Sequence, residues 1–271
     1  MPALMESTPK SLIAAGVQIV ADDFGLTPAT NEGIAYCLKN GLVNSAALMA
    51  NGKAFADAVE KINPPTDGLP PFRLGVHLTL VGEKPLVGNN PLPKNHRSFF
   101  IRYLLGGIKL AGVEKELRAQ IEKCLAAGLQ PSFLNSHQHL HLLPGVLAVV
   151  IKLAREYEIL SVRIVNEPIV WSSKKLFRKL QLVFLNFLSR RARDKLAAAG
   201  LTYNHWFIGF VNAGHLQSAD LALALMLKQR YPEQKIELGC HPGFEDEYVR
   251  NKYRHWGYQW REEIRVLEIG E

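Results

Sequence analysis

Short apolar runs alternate with amphipathic helical patterns along almost the whole 271-residue chain, and this alternation constrains the fold more than any other feature. The strands that it predicts lie at residues 17–21, 43–49, 74–80, 132–136, 161–165, 206–211 and 236–240. Strands that alternate with helices build a parallel sheet whose faces the helices cover. About seven such units predict a distorted or incomplete (β/α) barrel with parallel strands, folded as a single domain.

A doubly wound open sheet is the competing architecture, but its dinucleotide-binding form carries a GxGxxG turn after the first strand. This chain has ADDFGLTP there, which disfavours that fold. The barrel domain is expected over residues 17–271, preceded by an N-terminal extension at residues 1–16. Helices are predicted at residues 29–40, 53–62, 113–127, 144–157 and 218–230, loops at 64–71 and 82–97, and an edge strand at 265–269.

The composition is that of a folded protein of the cell interior. Hydrophobic residues make up 48% and charged residues 21% of the chain, which argues against disorder. Cys37, Cys124 and Cys240 are far apart and form no CxxC pair, so neither a disulfide scaffold nor a structural zinc finger is expected. The N-terminal segment makes a poor signal peptide because Glu6 comes early and no long apolar core follows. No run reaches about 18 apolar residues, so no membrane-spanning helix is expected, and the predicted location is cytoplasmic.

The positive charge is concentrated in one stretch. The chain has a formal net charge of +7. Residues 173–195 alone carry the same surplus, since they contain eight Lys and Arg residues and a single acid, Asp194. The stretch also sets six apolar residues on one helix face: Leu176, Leu180, Val183, Phe184, Phe187 and Leu188. Core burial is the usual use of such a face, which favours a barrel helix with its apolar side inward. The alternative is a basic amphipathic helix that lies on an anionic membrane surface.

Nucleic-acid binding is not expected. The cations are not interleaved with base-stacking aromatic residues, and no helix-turn-helix or RNP signature occurs.

Polar side chains gather where four of the predicted strands end. They are Asp22-Asp23 after the first strand, His77 in the third, the run from His137 to His141 after the fourth, and His241 after the last. Because the C-terminal ends of the strands face one mouth of a parallel barrel, we expect these groups to lie close together. Two histidines and one aspartate with open positions suit Zn²⁺, Fe²⁺, Mn²⁺ or Co²⁺. The convergence therefore predicts a metal centre.

Each of these residues also has an ordinary structural use. Asp23 alone would serve as a helix or turn cap, and His77 alone would be a satisfied histidine of the core. The histidine run is harder to explain in this way, because on a strand His137, His139 and His141 would point to one side. Three imidazoles there would repel one another if charged and would lose hydration if neutral, unless a metal or a carboxylate holds them.

The same residues match the needs of amide hydrolysis. A metal would polarise a carbonyl and lower the pKa of its water. Of the neighbouring carboxylates Asp22 and Asp23, one would bind the metal while the other takes the proton from the attacking water. His241, from the other end of the chain, would supply a proton to the leaving group.

Six segments occur in a fixed order along the chain: ADDFG, NEGI, SAALM, GVHLTL, NSHQHLHLLP and CHPG. In this order they resemble the YdjC family of carbohydrate deacetylases, which includes deacetylases of chitooligosaccharides and of hopanoid biosynthesis. The resemblance covers nearly the whole chain. It implies a distorted (β/α) barrel, a divalent metal such as magnesium or zinc, and hydrolysis of an N-acetyl group from an acetamido sugar.

Carried over residue by residue, the resemblance implies that Asp23, His77 and His137 bind the metal. It further implies that Asp22 is the general base and His241 the general acid. The other two histidines of the HQHLH run would lie behind the ligands or face the substrate. Consecutive strand residues point to opposite faces, so the backbone must turn if Asp22 and Asp23 are to share one site.

The implied partner is an acetamido sugar, either a chitooligosaccharide or a glycolipid such as an N-acetylglucosaminyl hopanoid. Residues 85–109 show the least family pattern and are expected to form a lid or rim over the mouth. Their apolar residues, together with the basic stretch 173–195, would suit a lipid-linked substrate and peripheral contact with the inner membrane. A homodimer is left open.

Two other functions are compatible with the predicted site. A non-haem iron oxygenase uses two histidines and one carboxylate, and it predicts oxygen-dependent turnover without release of acetate. A non-catalytic sugar- or lipid-binding barrel predicts that Asp22→Asn leaves function intact. The βα pattern argues against the usual fold of the first, and the presence of both Asp22 and His241 argues against the second, since binding alone needs neither.

Overall fold

The computed structural model of the protein describes residues 7–62, 69–169 and 175–269. Parts of several predicted segments lie outside these ranges. They are the start of the 1–16 extension, most of the 64–71 loop, the first residues of the 173–195 stretch and the end of the chain.

Seven strands within the described residues form one sheet in which every neighbouring pair is parallel. They are β1 (Gln18–Phe24), β2 (Ser45–Leu48), β3 (Arg73–Leu78), β4 (Phe133–Ser136), β5 (Ser161–Val162), β6 (Trp206–Ile208) and β7 (Ile236–Cys240). The strand order is β5-β4-β3-β2-β1-β7-β6, so β7 returns to pair with β1. The seven predicted strand positions are confirmed.

The two ends of this order, β5 and β6, are joined by irregular hydrogen bonds. The N–H of Val162 donates to the carbonyl of Thr202 at 3.0 Å. Asn204 bridges the same gap, because its side chain exchanges two hydrogen bonds of 2.8 Å with the backbone of Ile164. The sheet therefore curls into a distorted (β/α) barrel with an irregular seam between β5 and β6, which confirms the predicted fold class.

Helices surround the sheet, and one hydrophobic core joins the two. The helices are α1 (Pro9–Ala14), α2 (Pro28–Lys39), α3 (Phe55–Ile62), α4 (His96–Leu104), α5 (Leu110–Ala126), α6 (Pro144–Glu156), α7 (Leu176–Ala198), α8 (Ser218–Arg230), α9 (Glu247–Lys252) and α10 (Trp260–Glu268). The core extends from Leu12 on α1 to Leu267 on α10, so the described residues fold as a single unit. No helix in these ranges combines the length and the apolar composition that crossing a membrane requires.

The C-terminal segment is a helix where the sequence predicted an edge strand at 265–269. α10 buries Trp260, Glu263, Ile264 and Leu267, and this spacing of three and four residues is that of one helix face. The prediction was wrong because a short window at the end of the chain hides a helical period that becomes visible only from Trp260 onwards.

The apolar face of α7 points outward, contrary to the prediction that it packs into the core. Five of the six predicted face residues are 43–54% exposed, namely Leu176, Leu180, Val183, Phe184 and Phe187, whereas Leu188 is buried. The inward side buries Leu182, Ala192 and Leu196 together with two polar residues. Asn186 bonds both backbone groups of Glu167, and Ser189 accepts the N–H of Val165. Buried backbone groups must be paired, and α7 supplies the partners that the two-residue strand β5 leaves missing.

The segment predicted as a lid or rim, residues 85–109, contains an irregular run followed by α4. At the start of α4, the backbone N–H and the Nδ1 of His96 lie 3.0 and 2.9 Å from Gln138 Oε1. Gln138 follows the C-terminal end of β4, so this segment borders the mouth of the barrel.

Candidate metal centre

Strand β1 brings two neighbouring carboxylates to the C-terminal mouth because its backbone changes course at Asp23. Asp23 has a φ of 64°, in the left-handed region, and the pairing of β1 with β2 shifts register between Ala21 and Phe24. The side chains of Asp22 and Asp23 are both buried. On the far side of the turn, Asn31 of α2 accepts the N–H of Gly25 at 2.6 Å. The predicted backbone turn is present, and it lies at the second aspartate itself.

Asp23, His77 and His137 form one buried group at the ends of β1, β3 and β4. Asp23 Oδ1 lies 3.2 Å from His77 Nε2 and 3.1 Å from His137 Nδ1. One ligand atom from each residue lies within 4.8 Å of the others. The second oxygen of Asp23, Oδ2, is buried without a hydrogen-bond partner. The structure thus brings together the three side chains that the sequence resemblance marks as metal ligands.

The donor chemistry of this group fits a divalent metal. Ligand atoms around a tetrahedral zinc, with bonds of about 2.0–2.1 Å, lie about 3.3 Å apart, close to the distances from Asp23 to the two imidazoles. A cation would also satisfy the unpartnered Oδ2 of Asp23. Burial disfavours the charge of Asp23, but His137 and His77 outweigh it and hold the pKa of Asp23 well below its ordinary value. The carboxylate is therefore in the ionised form that a metal requires.

His77 is oriented by Asn135, its partner residue on the neighbouring strand β4. Asn135 Nδ2 donates to Asp22 Oδ1 at 2.8 Å, so Asn135 Oδ1 faces His77 Nδ1, also at 2.8 Å. His77 Nδ1 therefore carries a proton, and Nε2, the nitrogen on the side of Asp23, is the one available to a metal. A metal-binding histidine needs this tautomer, which a hydrogen bond from its other nitrogen fixes. Burial lowers the pKa of His77, but the carboxylates of Asp22 and Asp23 outweigh it and raise this pKa, so a metal would displace a proton from Nε2.

The histidine run does not continue β4 as a strand. It forms a 3₁₀ helix at His137–Leu142, in which Gln138 and His139 have φ values of 57° and 56°. Two successive left-handed residues turn each side chain in a new direction. The prediction that the three histidines point to one side was therefore wrong, and only His137 joins the Asp23 group.

Of the other two histidines of the run, His141 is buried and His139 is half-buried, and both are neutral. His139 lies with its ring centroid 5.6 and 5.7 Å from those of Phe207 and Phe210, and burial lowers its pKa well below the ordinary value. His141 Nδ1 accepts from the Ser136 hydroxyl at 2.6 Å, while its Nε2 donates to a backbone carbonyl just beyond β5. Burial lowers the pKa of His141 to about 4. These two rings support the loop rather than the metal group.

Asp22 is held by a buried arginine that the sequence analysis did not single out. Arg163 leaves β5 and reaches the two carboxylate oxygens of Asp22 at 2.5 and 3.0 Å, while its Nε donates to Glu237 on β7. Burial opposes ionisation of Asp22, but the charge of Arg163 outweighs it, and the pKa of Asp22 lies below its ordinary value. A lone cation in the apolar strand pattern SVRIV was the available signal.

His241 follows β7 and is fixed by a carboxylate of α10. Its N–H donates to Glu263 Oε2 at 2.5 Å, its ring centroid lies 4.7 Å from that of Tyr258, and its Nδ1 is buried without a partner. Burial lowers the pKa of His241, and the charges of Asp23 and Asp22 raise it in part. The carboxylates of Asp23 and Asp22 thus both influence the pKa of His241.

Aromatic side chains from the C-terminal segment cover one side of the group. The Trp256 ring centroid lies 4.8 Å from that of His137, and Tyr253 and Tyr258 lie 4.6 and 5.5 Å from Trp256. No role for these aromatic residues was predicted from the sequence.

Fold and site together define a (β/α)-barrel protein with a candidate divalent-metal centre at the C-terminal ends of its strands. A family model described as YdjC-like protein matches residues 17–269, and the chain belongs to this family.

Proteins named carbohydrate deacetylase are among its relatives. One from Vibrio cholerae is 28% identical over 254 residues, which cover 91% of this chain and 85% of that protein. One from Oceanobacillus iheyensis is 36% identical over 148 residues, or 53% of this chain and 62% of that protein. One from Brevibacillus brevis is 36% identical over 143 residues, or 51% of this chain and 55% of that protein. For the latter two, the match spans less than two thirds of the relative's length.

A solved structure has a similar fold. It is a crystal structure of an Enterococcus faecalis protein described as a cellobiose-phosphate cleavage protein, with a TM-score of 0.67 and 24% identity. The match covers 94% of this chain and 90% of that chain. At this level of identity the likeness supports the barrel fold alone.

Proposed function

We propose that the chain is a metal-dependent hydrolase that removes the N-acetyl group from an acetamido sugar. The observation that carries the proposal is the buried group of Asp23, His77 and His137. A second carboxylate, that of Asp22, lies beside this group, with its Oδ1 3.6 Å from His77 Nδ1. Membership of the YdjC family and relatives named carbohydrate deacetylase support the same activity. Water would add to the acetyl carbon, the C–N bond would break, and acetate and a sugar amine would leave.

In this proposal Asp23, His77 and His137 hold the metal, which when bound polarises the acetamide carbonyl and lowers the pKa of a coordinated water. Asp22 would take a proton from the attacking water. Arg163 keeps Asp22 ionised, which a proton acceptor at neutral pH requires, and fixes the direction of both carboxylate oxygens.

His241 is the proposed proton donor to the departing sugar nitrogen. Its Nδ1 is a buried atom that lacks a partner in the protein, so a substrate amide would supply one. Glu263 holds the backbone of His241 in place. Burial lowers the pKa of His241, while the charges of Asp23 and Asp22 act in the opposite direction and favour the protonated imidazole, which is the form that donates.

Acetate release from a substrate panel tests the reaction. The panel contains chitobiose, chitotriose and lipids that bear N-acetylglucosamine, each assayed with and without a chelator. We expect acetate from at least one substrate and its loss on chelation. Oxygen-dependent turnover without acetate would favour an iron oxygenase instead, and absence of acetate from every substrate in the presence of added metal would overturn the proposal.

Two variants separate the proposed roles. His77→Ala should lose the metal, as measured by elemental analysis, because it removes a ligand. Asp22→Asn should keep the metal and lower turnover by about 10²–10⁴-fold, the usual contribution of a general base. Asp194→Asn, an exposed aspartate on α7, is the control and should change neither quantity. Equal loss of metal from Asp22→Asn and His77→Ala would contradict the assignment, and full activity of Asp22→Asn would favour a binding protein.

Of the two metals that the family resemblance implies, the donor set favours zinc. Two of the three ligands are imidazole nitrogens, which suit zinc, whereas magnesium prefers oxygen ligands. Chelated protein reloaded with either metal gives the test. Higher acetate release with magnesium than with zinc would contradict this choice.

A second candidate substrate is a glycolipid, such as an N-acetylglucosaminyl hopanoid, which the protein would meet at the inner membrane. The observation that favours it is the exposed apolar face of α7. Faster acetate release from the lipid-linked sugar than from chitobiose would support a glycolipid, and the reverse order would favour a chitooligosaccharide.

A further inference from the structure

Nine of the exposed large apolar side chains in the described residues lie on or next to the two helices α4 and α7. We call this set the α4–α7 face. On α7 it consists of Leu176, Phe177, Leu180, Val183, Phe184 and Phe187, which are 43–59% exposed. On and just after α4 it consists of Ile101, Leu104 and Leu105, which are 57–81% exposed. Apolar patches of this extent on a soluble protein usually mark a contact surface.

The two helices are joined by two contacts of aromatic rings, which place their exposed side chains next to each other. The rings of Phe100 on α4 and Phe184 on α7 lie 5.9 Å apart in an edge-on contact. One end of the helix pair is joined by Arg97, whose guanidinium lies 5.6 Å from the Phe177 ring.

The α4–α7 face starts beside the mouth of the barrel. Arg178, in the first turn of α7, donates to the carbonyl of Phe210, whose ring contacts His139. The first residue of α4, His96, contacts Gln138 next to the candidate ligand His137. A surface that met this face would lie next to the candidate active site.

All charged residues of the two segments that build the face are cations. Residues 91–113 contain four Lys and Arg side chains and no acid, and residues 175–193 contain six and no acid. Arg190 and Arg191 are exposed at the far end of the apolar strip, and Arg191 lies 4.7 Å from the Phe187 ring. Apolar residues in the middle and cations at both ends is the pattern of a helix that lies in the interface of an anionic bilayer.

A second copy of the chain fits this surface less well. A two-fold dimer apposes the same patch from both subunits, so the exposed Arg190 and Arg191 of one α4–α7 face would meet cations of the other, and neither of the two segments that build the face contains an acid. An anionic bilayer supplies both an apolar layer and the opposite charge. We propose that the α4–α7 face docks the protein on the surface of an anionic lipid bilayer, with the barrel mouth beside the headgroups.

Co-sedimentation of the full chain with lipid vesicles tests the proposal without any measurement of activity. The vesicles contain phosphatidylcholine alone or mixed with phosphatidylglycerol. We expect binding to the mixed vesicles at about 0.01 M salt, much weaker binding at about 1 M salt where charges are screened within about 3 Å, and weak binding to phosphatidylcholine alone.

Two pairs of variants locate the binding surface. Leu180→Glu with Phe184→Glu alters the apolar strip, and its control is Leu160→Glu with Met226→Glu, two residues that are 63% and 52% exposed elsewhere. Arg190→Glu with Arg191→Glu alters the charge, and its control is the exposed pair Lys39→Glu with Lys235→Glu. Each basic residue near an anionic surface contributes about fivefold in binding, so the arginine variant should bind at least about 25-fold more weakly. Both controls should bind like the wild type.

Circular dichroism and thermal unfolding confirm that each variant is folded, and acetate release from a water-soluble substrate checks the site separately. Absence of binding to the anionic vesicles, or equal loss of binding in the control pairs, would overturn the proposal. The proposal would also be overturned if the wild type did not bind vesicles and formed a dimer in light scattering that Leu180→Glu with Phe184→Glu abolished. The face would then join two copies of the chain. None of these outcomes depends on whether the protein is a deacetylase.

Discussion

Replacing Arg163 with methionine tests how the buried charges inside the barrel are balanced. Arg163 is the cation between the carboxylates of Asp22 and Glu237, and all three side chains are buried. Methionine keeps most of the length and the apolar stem while it removes the charge. Both carboxylates would then lose the partner that compensates their burial.

Removal of one partner from a buried ion pair costs about 3–5 kcal/mol, because an uncompensated charge stays behind. For a chain of this size we expect Tm to fall by about 6–20 °C, at about 2–4 °C per kcal/mol. Burial already raises the pKa of Glu237 against the opposing influence of Arg163, so loss of the cation should raise it further. When the pKa of a carboxyl group is higher in the folded than in the unfolded state, the protein loses stability as the pH rises. The deficit of Arg163→Met should therefore be larger at about pH 7.5 than at about pH 5.

Urea unfolding at both pH values, followed by tryptophan fluorescence, measures this deficit. Arg265→Met is the matched control, because Arg265 is 62% exposed and pairs with Glu262 at the surface, where the loss should stay within about 1 kcal/mol. Adding Glu237→Gln to Arg163→Met should recover about 0.5–3 kcal/mol by removing one orphaned charge. The reasoning is refuted if Arg163→Met unfolds at the wild-type urea concentration, or if Glu237→Gln destabilises it as much as it destabilises the wild type.

Three further changes probe other parts of the molecule. Burial raises the pKa of Glu167 to about 7 although it accepts three backbone N–H groups. The wild type should therefore lose stability as the pH rises from about 4.5 to about 7, and the free energy of unfolding of Glu167→Gln should rise by up to about 3 kcal/mol relative to it. A difference in urea unfolding that is independent of pH would contradict this. His139→Phe should leave the metal content unchanged in elemental analysis, whereas loss of metal would make His139 a ligand. Gly33→Ala brings a Cβ within 2.5 Å of Gly243 Cα and should cost about 1–3 kcal/mol in thermal unfolding; an unchanged Tm would show that the loop after His241 moves freely.

The sequence predicted the strands and the barrel because its apolar runs are short, separated and followed by helical patterns. It predicted five candidate site residues because each lies in or just after the C-terminal part of a strand, and the C-terminal ends of parallel strands meet at one mouth. What it could not predict is the path of the chain after each strand. The left-handed residues Gln138 and His139 decide that His137 alone joins Asp23, and no periodicity in HQHLH indicates them.

The residues that support the site were missed for a different reason. Asn135 and Arg163 lie inside or just beyond short apolar strands, where pattern analysis expects only packing. Their role depends on which strands are neighbours: Asn135 faces His77 across the pairing of β3 with β4, and Arg163 reaches Asp22 across the barrel interior. A buried charge is rare without a partner, so a lone arginine in a strand signals a nearby carboxylate but does not identify it.

The irregular seam between β5 and β6 links the candidate site to the α4–α7 face. β5 has only two residues in the sheet, so the backbone beyond it needs partners other than a neighbouring strand. Asn186 and Ser189 on the inward side of α7 provide them. At the same seam, Arg163 leaves the sheet with its side chain inside the barrel, where it holds Asp22. The segment that follows the short strand β5 therefore contacts both parts of the proposal: it anchors α7, which carries the surface proposed to meet a membrane, and it supplies Arg163, which orients the proposed base.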